Sequence, residues 1–376
     1  MLLDDFMAEW QNGSGTLLVH TSGSTGSPKP LWVEKRRMLH SARVTCDFLD
    51  LHPGDTALLC MPLDYIAGKM MVVRAIERRL RLVSVPPSGH PLGEASLRQA
   101  QLMDCAQMSA CRQQSGEELP MLKFAAMVPL QVYNSLQVPE ECMRLRQIEH
   151  LIIGGGAIGD ELSHVLRSFP HHVWSTYGMT ETLSHIALRR LNGPEASAYY
   201  TPFDGVSVGK TADDCLIIDA PQLCCSPVVT NDRVELKRIV ADGKQQTLFR
   251  VLGRKDNVIC SGGVKIQIEE VEQLLQHHVP YPLAITSCPD EKFGEAVVLL
   301  TEASDLASVS DICRQVLPAF WRPKHYRHVA CLPLTETGKI ARHEARTIAC
   351  SVLSTTPKVL GSKKKLLASR GFFTGL

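Results

Sequence analysis

His150-Leu151-Ile152-Ile153-Gly154-Gly155-Gly156-Ala157-Ile158-Gly159 places an apolar run directly before a glycine cluster. A short apolar segment closed by glycines reads as a buried strand that ends in a sharp turn. The same pattern recurs across residues 1–250. TLLVH (16–20), TALLCMP (56–62), RLVSVP (81–86) and FAAMVP (124–129) each read as a strand closed by glycine, proline or polar residues, and segments such as 67–80 between them have helical spacing. Strands alternating with helices predict an α/β core, a sheet flanked by helices.

The glycine cluster at 154–159 also spells G-x-G-x-x-G. A dinucleotide fold needs more, an acidic residue about 20 positions on at the end of the next strand, to hold ribose hydroxyls. The next strand, HHVWST (171–176), ends in hydroxyls and a tyrosine, and the first acid, Glu181, lies in a turn beyond it. An NAD-dependent oxidoreductase is therefore the weaker reading.

From Leu216 to Val251 the pattern shifts to short strand-like pieces, CLIID, RVELKRIV and LFRVL, which predict a β-rich subdomain. Gly253-Arg254-Lys255-Asp256 punctuates the chain, and a second αβ series follows: IEEVEQLLQHH as a helix, PLAITSCP and EAVVLL as strands, and a helix near 305–316. The expected division is an N-terminal domain over 1–252, a smaller α+β domain over 253–350, and a tail over 351–376 to which no role is assigned.

Composition narrows the function class. Of 376 residues 44% are apolar, enough for more than one core, while 40 Lys plus Arg nearly cancel 39 Asp plus Glu. So balanced a chain offers no broad field for nucleic acid or an anionic membrane. The start, MLLDDFMAEW, lacks the basic and apolar regions of a signal peptide, and no apolar run reaches the roughly 18 residues of a membrane span. A cytoplasmic location is expected. The 13 cysteines include no C-x-x-C and one adjacent pair, Cys224-Cys225, so reduced buried thiols are expected rather than a metal cluster. Oligomeric state is left open, a homo-oligomer included.

Thr21-Ser22-Gly23-Ser24-Thr25-Gly26-Ser27-Pro28-Lys29 follows an apolar strand and concentrates hydroxyls, glycines and a lysine in nine residues. Phosphate suits such a loop: glycines let the backbone approach, hydroxyls and N–H groups donate, and the lysine adds charge. It is not a P-loop of the G-x-x-x-x-G-K-[ST] kind, because Pro28 and Pro30 flank the lysine.

Ser175-Thr176-Tyr177-Gly178-Met179-Thr180-Glu181-Thr182 resembles the Y-G-x-T-E signature of the adenylate-forming superfamily, which includes acyl-CoA synthetases, aryl-CoA ligases and peptide-synthetase adenylation domains. Further motifs appear in family order. TSGSTGSPK resembles the phosphate loop, GGGAIG the adenine-side loop, TNDRVEL the T-G-D stretch with Asn231 in place of the usual glycine, GRKDNVICSGGVKIQIEEVE the hinge and first C-terminal motif, and TETGKIAR the final lysine motif. The resemblance covers residues 16–345. It also exposes a departure, since members carry a longer segment before the phosphate loop; a shortened N-terminal subdomain is the expectation. MPLDYIAGKMMVVRAI, MVPLQV and YGMTETLSHIALR look most like the o-succinylbenzoate–CoA ligases of menaquinone synthesis.

What the resemblance implies is an acid–CoA ligase that makes an acyl-AMP from ATP and a carboxylic acid, then the acyl-CoA thioester, with Mg2+ and coenzyme A. Two negative reactants meet in the first step, so cations and oriented donors are required. Carried over, Thr21, Ser22, Gly23, Ser24, Thr25, Gly26 and Lys29 hold phosphates; Gly154, Gly155, Gly156, Ala157, Thr176, Tyr177 and Gly178 line the nucleotide. Thr180 meets the α-phosphate, Glu181 the magnesium, Asp232 the ribose with Arg254 beside it. Lys339 reaches in from a mobile C-terminal lid that turns about Asp256, and Gly262 and Gly263 face the CoA thiol. Lys69, Arg74, Ser184 and His185 are the candidates for the acid, since an aromatic keto-dicarboxylate needs a cation for the carboxylate that does not react. Two rival readings stand: a ligase for another aryl or acyl acid, including one that loads a carrier protein, and a non-catalytic nucleotide-binding protein.

Overall fold

The apolar runs collect mainly into one nine-stranded sheet. The chain enters through helix α1 (Leu3–Gln11) and a hairpin of β1 (Thr16–His20) and β2 (Pro30–Glu34), then runs through α2 (Lys35–Phe48), β3 (Thr56–Leu59), α3 (Ile66–Arg78), β4 (Arg81–Ser84), β5 (Gln101–Asp104), β6 (Arg112–Gln113), β7 (Phe124–Met127), β8 (His150–Ile153), β9 (His172–Gly178), β10 (His185–Arg190) and β11 (Thr201–Pro202). The sheet order is β11-β10-β9-β8-β7-β3-β4-β5-β6. Pairing is parallel from β9 through β4 and antiparallel at both flanks. This is a computed structural model that describes residues 1–20, 30–105, 112–113, 121–156, 158–241, 243–335 and 339–351. Residues 21–29 with the candidate phosphate ligands, Ala157, and residues 352–376 lie outside the described residues.

The central strands explain their own sequence. β3, β7 and β8 are buried at every position, as parallel strands covered on both faces must be, hence their apolar runs, broken only by Thr56 and His150 at the strand starts. One buried cluster fills one face of the sheet, with Phe6 of α1, Met38 of α2 and Met70 of α3; a second, with Val132 and Leu166, fills the other.

TLLVH, expected as a core strand, is not in this sheet. It pairs antiparallel with β2 from Thr16↔Glu34 to His20↔Pro30 as a separate two-stranded hairpin. Its alternation, with Leu17 and Val19 buried and Thr16, Leu18 and His20 less so, is that of a strand covered on one face only.

The chain then forms β12 (Ser207–Lys210), β13 (Cys215–Asp219), β14 (Val228–Ala241) and β15 (Lys244–Arg254), an antiparallel sheet in chain order. Next come β16 (Val258–Ser261), β17 (Val264–Gln267), β18 (Leu283–Asp290), β19 (Gly294–Thr301) and β20 (His325–His328), a five-stranded sheet with β20 parallel to β19. The helix Ile268–Gln276 packs its buried Val271 and Leu275 into the core of this sheet. Among the described residues no helix is long and apolar enough to cross a membrane.

Candidate active site

Parallel α/β sheets place ligands beyond the carboxyl ends of their strands. Gly154–Gly156 follows β8 there, and Tyr177-Gly178 ends the neighbouring β9. The two segments touch: a Cβ on Gly154 would lie 2.4 Å from Thr176 Oγ1, so any larger residue would have to turn the Thr176 side chain aside.

Tyr177 is aimed by an aromatic cluster. Its ring meets Phe249 of β15 edge-on at 5.0 Å, and Phe249 stacks with Tyr200 at 5.4 Å. The phenol then donates to Asp232 Oδ2 at 2.5 Å. Burial and the Asp232 carboxylate push the Tyr177 pKa upward, so it remains a phenol. Asp232 opposes Arg254 in the β14–β15 register, and Arg254 Nη1 donates to Asp232 Oδ1 at 3.3 Å. The same guanidinium grips Asp256 through two hydrogen bonds of 2.8 Å. Burial works to raise the Asp256 pKa, but Arg254 outweighs it and holds the carboxyl below the usual range.

Lys339 comes into the field of this group. Burial depresses its pKa, with the Asp232 charge opposing and the Arg254 charge adding to the shift. Its segment is anchored two ways. Thr335 N donates to the Lys339 carbonyl at 2.7 Å, and Arg342 closes a two-bond pair with Glu272 at 2.6 and 2.7 Å. Tyr177, Asp232 and Arg254, chosen from three separate motifs, are thus hydrogen-bonded neighbours, and Lys339 from a fourth feels the charges of Asp232 and Arg254.

Thr180 and Glu181 lie on a single 3-10 turn, Thr180–Thr182. Thr182 Oγ1 bridges the turn, donating to the Ser184 carbonyl at 2.7 Å and accepting from Met179 N at 3.0 Å. Thr180 is buried, and Glu181 extends into solvent. Cys224 closes the turn from outside, donating from Sγ to the Glu181 carbonyl at 3.4 Å.

The four acid candidates divide. Arg74, Ser184 and His185 meet between α2, α3 and the start of β10: Arg74 Nη2 donates to Ser184 Oγ at 2.7 Å and lies 3.5 Å from His185 Nδ1. Arg74 is 2% exposed, and among the described residues no carboxylate pairs with it and its Nε has no partner. Burial alone pulls its pKa down to about 10. Burial beside Arg74 also drives the His185 pKa well down, leaving a neutral imidazole. Lys69 is elsewhere. Five residues earlier on α3 it points away from Arg74, its Nζ 5.4 Å from the Phe6 ring centroid and 3.4 Å from Met1 Sδ under α1.

A scan of the sequence against family models matches the AMP-binding enzyme family over residues 7–213, more than half of the chain. The chain belongs to the AMP-binding enzyme family. This AMP-binding enzyme is 25% identical over 357 residues to the 2-succinylbenzoate–CoA ligase of Enterococcus faecalis, covering 88% of the present chain and 69% of the relative. Among solved structures it resembles an acyl-CoA synthetase (AMP-forming)/AMP-acid ligase II-like protein from Dyadobacter fermentans, at 32% identity and a TM-score of 0.56, with 90% and 91% of the two chains covered. It shares its fold with MenE of Bacillus subtilis in complex with ATP and magnesium ion, at 20% identity and a TM-score of 0.64, with 87% and 69% covered. The AMP-binding enzyme is accordingly an ATP-dependent, AMP-forming acid–CoA ligase.

Sequence reasoning missed several residues of this enzyme. Thr45 meets His185, Cys224 meets the Glu181 turn, and Arg342 ties down the Lys339 segment; of these, only Arg342 stood inside a quoted motif. Gly262 and Gly263 turn β16 into β17 with φ of 58° and 83°, values that favour glycine. Beside them lies Phe293, whose carbonyl accepts from Gly262 N at 2.8 Å and whose ring carries Lys292 and Lys324 at 5.2 and 5.0 Å.

Proposed function

We propose that this ligase activates o-succinylbenzoate, an aryl keto-dicarboxylate, as its acyl-AMP and transfers the acyl group to CoA, a step of menaquinone biosynthesis. The observation that carries the reading is the Arg74 guanidinium. A buried charge without a counter-ion costs several kcal/mol; Arg74 has none among the described residues, and a site that keeps such a charge leaves its counter-charge to a ligand. Ser184, half-exposed and held by Arg74, would meet the carboxylate that does not react, with the arginine charge behind it.

The remaining roles follow the chemistry. Asp232 accepts from ribose hydroxyls, Gly154–Gly156 and Tyr177 flank the base, Thr21–Lys29 holds phosphates, and Thr180 orients the α-phosphate. A single exposed carboxylate, Glu181, suits Mg2+, which retains waters and shares substrate phosphates rather than occupying an all-protein cage; the described residues hold no cluster of three acidic, His or Cys ligands. The bound ion would neutralise phosphoryl charge. Lys339 meets the charge that develops at the reacting carboxylate and phosphate. Residues 253–350 form a lid that turns about Asp256, bringing Gly262, Gly263 and the ring of Phe293 to the thiol. The enzyme works in the cytoplasm.

The test is ATP–pyrophosphate exchange across a panel of acids, followed by CoA. Exchange with o-succinylbenzoate and a thioester product supports the reading. Exchange only with a monocarboxylic aryl or fatty acid would refute it in favour of another acid, and no exchange with any acid despite ATP binding would leave a nucleotide-binding protein.

A further inference from the structure

The cluster behind Ser184 contains a residue that no motif marks. Thr45, on α2, is fully buried, and its Oγ1 lies 3.1 Å from the Ser41 carbonyl and 3.0 Å from His185 Nε2. A carbonyl can only accept, so the single Thr45 hydroxyl proton goes to Ser41. Thr45 Oγ1 must then accept at its other contact, and the proton on the neutral His185 ring is fixed at Nε2. Nδ1 is left with its lone pair.

That lone pair faces two donors. Nδ1 stands 3.4 Å from Ser184 Oγ and 3.5 Å from Arg74 Nη2, while Arg74 Nη2 donates to Ser184 Oγ at 2.7 Å. Ser184 already accepts from Arg74, so its own proton is free to turn toward Nδ1 or toward a ligand. The opposite tautomer would point an N–H at the guanidinium, setting donor against donor between two buried side chains. We propose that Thr45 is a positioning residue for acid recognition: it selects the Nε2-protonated tautomer of His185, which in turn holds Ser184 and Arg74 in the orientation that reads the second carboxylate. This deepens the proposed reading of Arg74 and rests on it.

The relay runs Ser41 carbonyl, Thr45 hydroxyl, His185 imidazole, then Ser184 and Arg74, from the backbone of one helix to the face of the site. The hydrogen-bond function is separable from bulk, because valine has the shape of threonine without the hydroxyl and serine keeps the hydroxyl without the methyl.

The experiment measures Thr45→Val and Thr45→Ser in the full chain, with the His185 tautomer read by 15N NMR of labelled protein and assigned by its loss in His185→Gln. Thr45→Val is expected to lose the single Nε2-protonated form and to raise KM for o-succinylbenzoate about tenfold, the equivalent of one lost hydrogen bond to a charged site. KM for ATP and kcat stay within about twofold on the same reasoning, and Thr45→Ser restores both tautomer and KM. Retention of the Nε2 proton in Thr45→Val overturns the proposal, as does a rise in KM for ATP equal to that for the acid, which a loosened fold would give. Should the unaltered enzyme prove indifferent to the second carboxylate, the reading of Arg74 falls, and the tautomer measurement still decides what Thr45 does.

Discussion

Replacing Arg74 with methionine separates a binding residue from a structural one. In the folded chain burial brings the guanidinium pKa down to about 10. A tenfold change in proton affinity is about 1.4 kcal/mol, so the charged form carries a penalty of about 3 kcal/mol inside the protein. The folded pKa lies below the unfolded one, and neutral pH lies below both, so the whole penalty is present under assay conditions. Against it stands the hydrogen bond to Ser184 at 2.7 Å, worth about 1–3 kcal/mol. Arg74→Met in the absence of ligand is therefore expected to melt at the same temperature as the unaltered enzyme or a few degrees higher. Acid binding should suffer instead: a carboxylate left without its buried partner loses about 2–5 kcal/mol, a rise in KM of roughly 30-fold or more. Thermal-shift curves with and without o-succinylbenzoate, together with pyrophosphate release, read both effects. A variant that melts well below the parent yet keeps its KM for the acid would refute the argument and make Arg74 an internal strut.

Three further outcomes are expected. Lys339→Ala should slow acyl-adenylate formation about 100- to 1000-fold and spare thioester formation from supplied acyl-AMP; equal loss in both half-reactions, measured by quenched flow, would contradict the assignment. Gly178→Ala places a Cβ 2.2 Å from the Ser184 carbonyl, so about 3 kcal/mol of stability should be lost and the denaturant midpoint should drop, whereas an unchanged midpoint would dispute the close approach. His150, stacked 4.9 Å from His172, has its pKa lowered to about 4, first by burial and then by the His172 charge. Its contribution is complete above the ordinary histidine pKa and disappears as pH falls through about 4, so His150→Gln should flatten the melting-temperature loss between pH 7 and pH 4, and an unaltered acid limb would exclude it as a cause.

The candidate nucleotide side was the more legible because its candidates sit in contiguous stretches whose spacing is dictated by a strand and the turn that follows it. Tyr177, Asp232, Arg254 and Lys339 could be named before any geometry was known. The acid side was less legible. Lys69 and Arg74 share one helix and one charge, yet at five positions apart they face different neighbours, and only the placement of α1 over Lys69 separates them. Thr45 is 140 residues from His185 in the chain, and a threonine on the buried face of an amphipathic helix has no local signature. The hairpin of β1 and β2 was misplaced for a related reason. A short strand-like run says that a strand forms, whereas its choice of partner depended on Pro30–Glu34, nine residues further along the chain.

The Arg254 fork, with Asp232 on one side and Asp256 on the other, has a thermodynamic corollary. A guanidinium that serves two carboxylates cannot change its hold on one without altering its hold on the other. If Asp256 is the pivot, nucleotide occupancy and lid angle are linked variables, and the factor by which AMP biases the swing must equal the factor by which the swing alters affinity for AMP. Departure of the nucleotide and return of the lid to its starting pose would then be two descriptions of a single equilibrium, with one arginine as its fulcrum.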